Sequence, residues 1–338
     1  MPSPYQNARP VLIISAILSG RRCLRKGRRK YMQGMEEARA FYEEYGRDML
    51  EKRFPEYERR IAVGLAGHGS ECFGFDDEIS RDHDWEKGFC LWISDIDDIK
   101  VGVALSRAYR SLPIERQGER SSQGGGNRGV MRTGFFFRRY TGSPGAPEDW
   151  RQWLYLPSHT LAEATNGEIW RDELGEFSAV REKLLHGMPE DVRLKKLAAR
   201  AVEMAQAGQY NYARCLRHGQ EGAAMLAAAE FVNAACGMIY LLNRVHMPYY
   251  KWRFRGMEAL PKLSSLAPAL EFLLLGENDG AGVKTKAGVI EDVCAAVIAQ
   301  LRAEGLSRGG WDYLEPHAFE ITERIENPEI RALHVMEG

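Results

Sequence analysis

Two aspartates and a glycine-serine turn are the residues whose types and spacing could do chemistry. Asp82 and Asp84 stand at i and i+2. If residues 84–93 run on as a strand, both carboxylates point to one face and His83 to the other. Paired carboxylates on a rigid element suit a hard divalent cation such as Mg²⁺ or Mn²⁺. Mg²⁺ takes one or two carboxylate oxygens and completes its shell with water and substrate phosphates. Ahead of Asp82, with eleven residues between, the chain reads Gly67-His68-Gly69-Ser70, a tight turn whose backbone amides could meet those phosphates. A glycine turn is ordinary by itself, and so is a solvated acidic pair. Their spacing behind one apolar run and ahead of another is what points to metal and phosphate. Arg81 adds a cation that could assist a phosphate or simply pair with the aspartates.

Such residues need elements to hold them. Residues 61–66 are uniformly apolar and read as a buried strand that empties into the turn. Over residues 35–54, Phe41, Tyr42, Tyr45, Met49 and Leu50 recur at spacings of three and four, an amphipathic helix closed by Pro55. Ser94 reads as the N-cap of a helix to about residue 112, with Asp95, Asp97 and Asp98 in its first turn. A polar loop over 113–127, a short strand over 129–133 and a helix from Phe135 follow, and residues 142–147 are the expected domain joint. Beyond Trp150 the pattern predicts helices over 176–185, 191–207, 220–242, 267–275 and 286–303, with no alternating strand. The expected fold class is α+β, a small mixed-sheet head followed by an α-helical bundle. The expected division is a basic extension at 1–34, a head at 35–147 and a helical domain at 148–338.

Composition bounds the partners. Apolar residues make up 44% of 338, ordinary for a globular chain of one or two domains. The formal charge of −1 hides an asymmetry: residues 1–31 carry eight basic side chains and no acid, leaving 38 basic against 47 acidic residues, a formal −9. An acidic body argues against sequence-independent binding of long nucleic acid. The basic stretch reads either as an arm for an anionic surface or as sequence ahead of a natural start at Met32 or Met35. Its apolar run, 11–18, precedes the basic cluster and is short for an export signal. No run approaches the roughly 18 apolar residues of a membrane span. Six cysteines without CxxC spacing point to free thiols in a reducing cytoplasm.

Gly69-Ser70, the eleven-residue gap and Asp82-x-Asp84 resemble the signature of the polymerase-beta-like nucleotidyltransferase superfamily. The fuller string, Gly69-Ser70-Glu71, Gly74, Asp76-Asp77, Ser80 and Asp82-His83-Asp84, resembles a bacterial branch catalogued as a domain of unknown function. The strings Thr165-Asn166-Gly167, Gly208-Gln209-Tyr210-Asn211-Tyr212, Leu241-Leu242-Asn243-Arg244 and Pro248-Tyr249-Tyr250-Lys251-Trp252 resemble the same branch. The resemblance implies that Asp82 and Asp84 hold Mg²⁺ (or Mn²⁺), that Gly69 and Ser70 hold the β- and γ-phosphates of ATP or another nucleoside triphosphate, and that a nucleoside monophosphate passes to a hydroxyl of an acceptor. Active members usually add a third acid from a later strand. Residues 129–133 hold none, so Glu71, Asp76, Asp77, Glu78 or Glu115 would have to substitute.

In the helical half, Tyr210, Asn211, Tyr212 and Arg214 form one aromatic-polar cluster, and Tyr249, Tyr250, Lys251, Trp252, Arg253 and Arg255 another. Aromatic residues of this kind commonly pack between helices through their rings and bond through their polar tips. Their functional alternative is a cleft wall in which Tyr210 and Tyr212 stack on a base while Lys251 or Arg255 meets phosphate. Three function classes follow: a nucleotidyltransferase, a nucleotide-binding regulator without turnover, and an HD-type phosphohydrolase built on His83-Asp84.

Overall fold

Strand β1 (Ala62–Leu65) is the second-innermost of four, paired on both edges. The sheet order is β3-β2-β1-β4, with β2 at Cys90–Ile93, β3 at Gly129–Arg132 and β4 at Glu168–Arg171. β1 runs antiparallel to β2 and β4, and β2 runs parallel to β3. This is a computed structural model, and it describes residues 34–77, 87–114, 128–277 and 280–338. They divide into two compact units between Met188 and Pro189.

In the first unit, all four residues of β1 and of β2 are buried, which is why both read as continuous apolar runs. Each strand still alternates faces. Val63, Leu91 and Ile93 join one core with Phe41, Tyr42, Leu50, Phe54, Leu105 and Tyr109. Those partners come from helix α1 (residues 34–53, with a π-helical turn at Tyr42–Gly46) and helix α2 (residues 95–110). Ser94 caps α2 as its type predicts, its hydroxyl accepting from Asp97 N at 3.1 Å. On the opposite face Trp92 stacks on Phe177 at 4.0 Å and meets Phe136 edge-on at 5.5 Å. Helix α3 (Thr133–Thr141) supplies Phe136, and helices α4 (Trp150–Tyr155), α5 (Ser158–Thr165) and α6 (Glu176–His186) follow, α6 bringing Phe177. An aromatic pair of this kind adds about 1 kcal/mol beyond the area it buries.

β4 departs from the sequence expectation, which had no strand beyond Trp150. It is a four-residue edge strand with its register broken between Val63 and Gly64, and none of its residues is fully buried. So short and half-exposed a strand leaves almost no alternating pattern to read. Residues 142–147, the expected joint, form a turn inside this unit, where the Thr141 hydroxyl meets the carbonyls of Ser143 and Gly145.

The second unit is helical throughout its described residues. Helix α7 covers residues 190–217, with a π-helical stretch at Ala205–Tyr212. Helices α8 (Glu221–Leu242), α9 (Arg253–Met257), α10 (Ala267–Leu275), α11 (Gly280–Ala303), α12 (Leu314–Glu323) and α13 (Pro328–Arg331) follow. α7 packs on α8 and α12. Gly208 sits where a side chain would drive into the Phe231 ring of α8, so only glycine allows the close approach. α8 corrects one sequence expectation, since it is long and apolar enough to cross a membrane, an 18-residue window of it having a mean hydropathy of 1.6. Yet 67% of that window is buried within the unit, as befits a core helix.

Candidate phosphate-binding turn

β1 delivers the chain directly into the glycine turn. Gly67 and Gly69 adopt φ of +108° and +131°, the region that disfavours a side chain, and Ser70 then opens a 3₁₀ turn at Glu71–Phe73. The Ser70 side chain makes no capping hydrogen bond to that turn. The turn is held from β4's side of the sheet. Gly67 N donates to Asn166 Oδ1 at 2.8 Å, and Asn166 Nδ2 donates to Gly67 O, also at 2.8 Å. Gly167 N donates to Cys72 O at 2.8 Å, and His68 N donates to the Tyr140 hydroxyl at 3.2 Å. Burial pushes the Tyr140 phenol up to about 12, so it stays neutral. His68 lies 3.5 Å from Glu163.

Beside the turn lies a part-buried ion pair between Glu71 and Arg128. The Glu71 carboxylate packs against Gly69, within 2.7 Å of the point that a side chain there would occupy. Burial alone would loosen the proton of the Arg128 guanidinium. The negative charge of the neighbouring Glu71 opposes that, and the net shift is upward. Burial likewise raises the Cys72 and Cys90 thiols, which are unreactive in that state. The loop then folds back on itself: Ser70 O accepts from Phe73 N at 3.1 Å and from Phe75 N at 2.8 Å. Asp76 follows at once, 8% exposed. Its Oδ2 accepts from Gly34 N at 2.8 Å, while its Oδ1 is buried with no hydrogen-bond partner among the described residues.

Arg81, Asp82 and Asp84 lie outside the described residues, as do His83, Glu78 and Glu115. β2 begins at Cys90 opposite Gly64, so residues 87–89 reach it from the end of the sheet at which β1 runs into the turn. β3 holds no acid. Among the described residues no group of three or more His, Cys, Asp or Glu is gathered as metal ligands.

In the second unit the aromatic strings resolve mainly into packing. Tyr212 is fully buried and Tyr210 is 53% exposed, so they do not share a face. Arg214 lies 5.5 Å from the Tyr210 ring. Gln209 bonds Glu291, Asp312 O and Leu314 N, tying α7 to α11 and to the start of α12. Asn243 clasps Lys262 through both backbone groups, at 2.9 and 3.0 Å. Lys251 and Arg255 are exposed, Lys251 with its ammonium 4.4 Å from the buried Trp252 ring.

Residues 153–253 match a family described as a domain of unknown function (DUF4037). No curated protein and no solved structure matches the chain. The DUF4037 match takes in Asn166 and the strings at 208–212, 241–244 and 248–252. It spans both units, from α4 to the 3₁₀ turn at Tyr250–Trp252. The glycine turn and the two aspartates lie outside it, so the superfamily resemblance rests on residues 69–84 alone. Sequence reasoning noticed Asn166 within a string but gave it no role, since its partner Gly67 stands 99 residues away. Arg128 closes a polar loop and carries no sequence signal at all.

Proposed function

We propose that the chain is a Mg²⁺-dependent nucleotidyltransferase that moves AMP from ATP, or another nucleoside monophosphate from its triphosphate, to a hydroxyl of an acceptor in the cytoplasm. The observation that carries it is the turn itself. A buried strand ends in two glycines with positive φ, the turn is clamped at both backbone groups of Gly67, and residues 87–89 enter β2 at that same end of the sheet.

The donor set fits a hard cation: Asp82 and Asp84 are paired carboxylates, and beside the turn Asp76 keeps one buried oxygen without a partner. Bound there, Mg²⁺ would supply charge neutralisation for the triphosphate. The remaining work falls to the chain's own groups. The amides of Gly69 and Ser70, with the Ser70 hydroxyl, orient the β- and γ-phosphates. The guanidinium of Arg128 neutralises Glu71, so that the carboxylate packed on Gly69 does not repel them. The acceptor oxygen bonds to the α-phosphorus as the bond to pyrophosphate breaks, and its proton leaves to solvent or a carboxylate.

A nucleotide-binding regulator without turnover is the second reading, and the acid-free β3 favours it. Pyrophosphate release separates them. The assay uses ATP, GTP, CTP and UTP with Mg²⁺ or Mn²⁺, cell extract as a source of acceptor, and Asp82→Asn and Asp84→Asn beside the wild type. Release that disappears in both variants supports the transferase. Metal-dependent nucleotide binding without release moves the conclusion to the regulator, and no binding at all overturns both.

A further inference from the structure

We propose that helix α2 is the interface of a homodimer, paired antiparallel with α2 of a second copy about a two-fold axis at Val103. α2 carries apolar side chains on two sides. Leu105, Ala108 and Tyr109 enter the core. On the solvent side Ile96, Ile99 and Val103 are 63%, 87% and 76% exposed. Exposed aliphatic residues scattered singly are ordinary, but three in a row on one helix form a contiguous apolar strip. Arg107 and Arg110, also exposed, continue that row toward the end of the helix. The π-helical turn at Asp98–Gly102 does not carry the row out of solvent, since all five side chains remain exposed. The spacings along the row are three, four, four and three, the alternation of a helix-packing seam.

What covers the row follows from its order. Positions 96, 99, 103, 107 and 110 read the same from either end about Val103. Turned antiparallel, a second copy therefore sets Val103 on Val103, Arg107 over Ile99 and Arg110 over Ile96. Arginine suits that place, because its aliphatic stem can cover an apolar side chain while the guanidinium reaches beyond it. What it reaches is the first turn of the other helix, where Asp95 and Asp98 share the single cation of Arg132, at 3.2 and 3.9 Å. Arg107 and Arg110 have no ion-pair partner among the described residues. A helix acidic at its start and basic at its end is complementary to itself only when the copies run in opposite directions, and the two-fold then closes the assembly at a dimer. An anionic lipid surface would want cations along the whole row and is repelled by its acidic end. The segment that follows in sequence, residues 115–127, holds no apolar side chain with which to cover the strip.

The test is sedimentation equilibrium of the full chain over a range of concentrations. Wild type is compared with Val103→Glu, Arg107→Glu/Arg110→Glu and Asp95→Arg/Asp98→Arg, with circular dichroism to establish that each is folded. Wild type is expected to pass from monomer to dimer as concentration rises. Val103→Glu sets two carboxylates together on the axis, and each charge swap sets like charges at both ends of the helix pair. In all three the dissociation constant should rise about tenfold or more. An equimolar mixture of the two charge-swap variants should dimerise again, because each then meets its opposite at both ends. A merely destabilising substitution could not produce that recovery, and its absence overturns the pairing. A wild type that stays monomeric at every concentration overturns the proposal. So does a dimer untouched by Val103→Glu, which would be built on another surface, and so does assembly beyond a dimer. Should Asp95→Arg/Asp98→Arg fail to fold, Val103→Cys replaces it. Oxidation is then expected to link two copies of this variant and not of the wild type, and failure to link them overturns the proposal.

Discussion

Asn166 shows how much of the site hangs on one side chain. Its amide meets both the N–H and the C=O of Gly67, so replacing it with alanine strands two part-buried backbone groups at once. Each such loss costs about 1–3 kcal/mol. Asn166→Ala is expected to lower stability in urea by about 2–6 kcal/mol for the two groups together and to raise the KM for nucleotide more than it lowers kcat. Asn166→Asp keeps an acceptor for Gly67 N and should fall between. Equal KM values for wild type and both variants would show that the turn does not meet the substrate. The turn at Gly69 and Ser70 is legible in the sequence because glycine chemistry is local, and the contacts of Asn166, Tyr140 and Arg128 are not, because their partners are far along the chain. By type and place in sequence Tyr212 suits stacking and packing equally, and its burial assigns it to packing.

At the scale of elements, local signals were reliable wherever the local and tertiary preferences agree. The apolar spacing of α1 and the cap of α2 are both present where the side chains require them. β4 was hidden because its stability comes from pairing with β1 and hardly from its own residues. The start of α12 carries a testable device of another kind. Glu320 Oε2 accepts from Ser307 and from the amides of Arg308 and Gly309, and the Ser307 hydroxyl also lies 2.5 Å from Nδ1 of the buried His317. The Ser307 hydroxyl first, and the Arg308 amide next, hold the Glu320 carboxyl down to about 2 from an ordinary 4.5. A depressed carboxyl contributes stability that is fully present above its unfolded value and is lost as pH falls through the folded one. Glu320→Gln should therefore destabilise the chain at neutral pH and flatten the loss of stability between about pH 4.5 and 2. A variant that keeps the wild-type acid limb would show that these bonds do not form in solution.

For the whole molecule, charge is distributed in sequence more than in sum. Eight basic residues precede position 32, and the rest of the chain is acidic. Removing residues 1–31 should abolish any salt-sensitive retention on a polyanion column and leave nucleotide turnover unchanged. Persistent retention would place a basic surface elsewhere, and lost turnover would make the segment part of the working protein. The order of the strands has a further consequence, in the time a ribosome takes to make the chain. β1 pairs with β4, and Gly67 with Asn166 across 99 residues, so the sheet cannot close until β4 is made. At about 5–20 residues per second that wait is about 5–20 s. Throughout it β1 offers a bare, wholly apolar edge, and a chain released before Arg171 would keep that edge permanently. Premature termination there should yield a client for chaperones or an aggregate, and never a smaller folded unit.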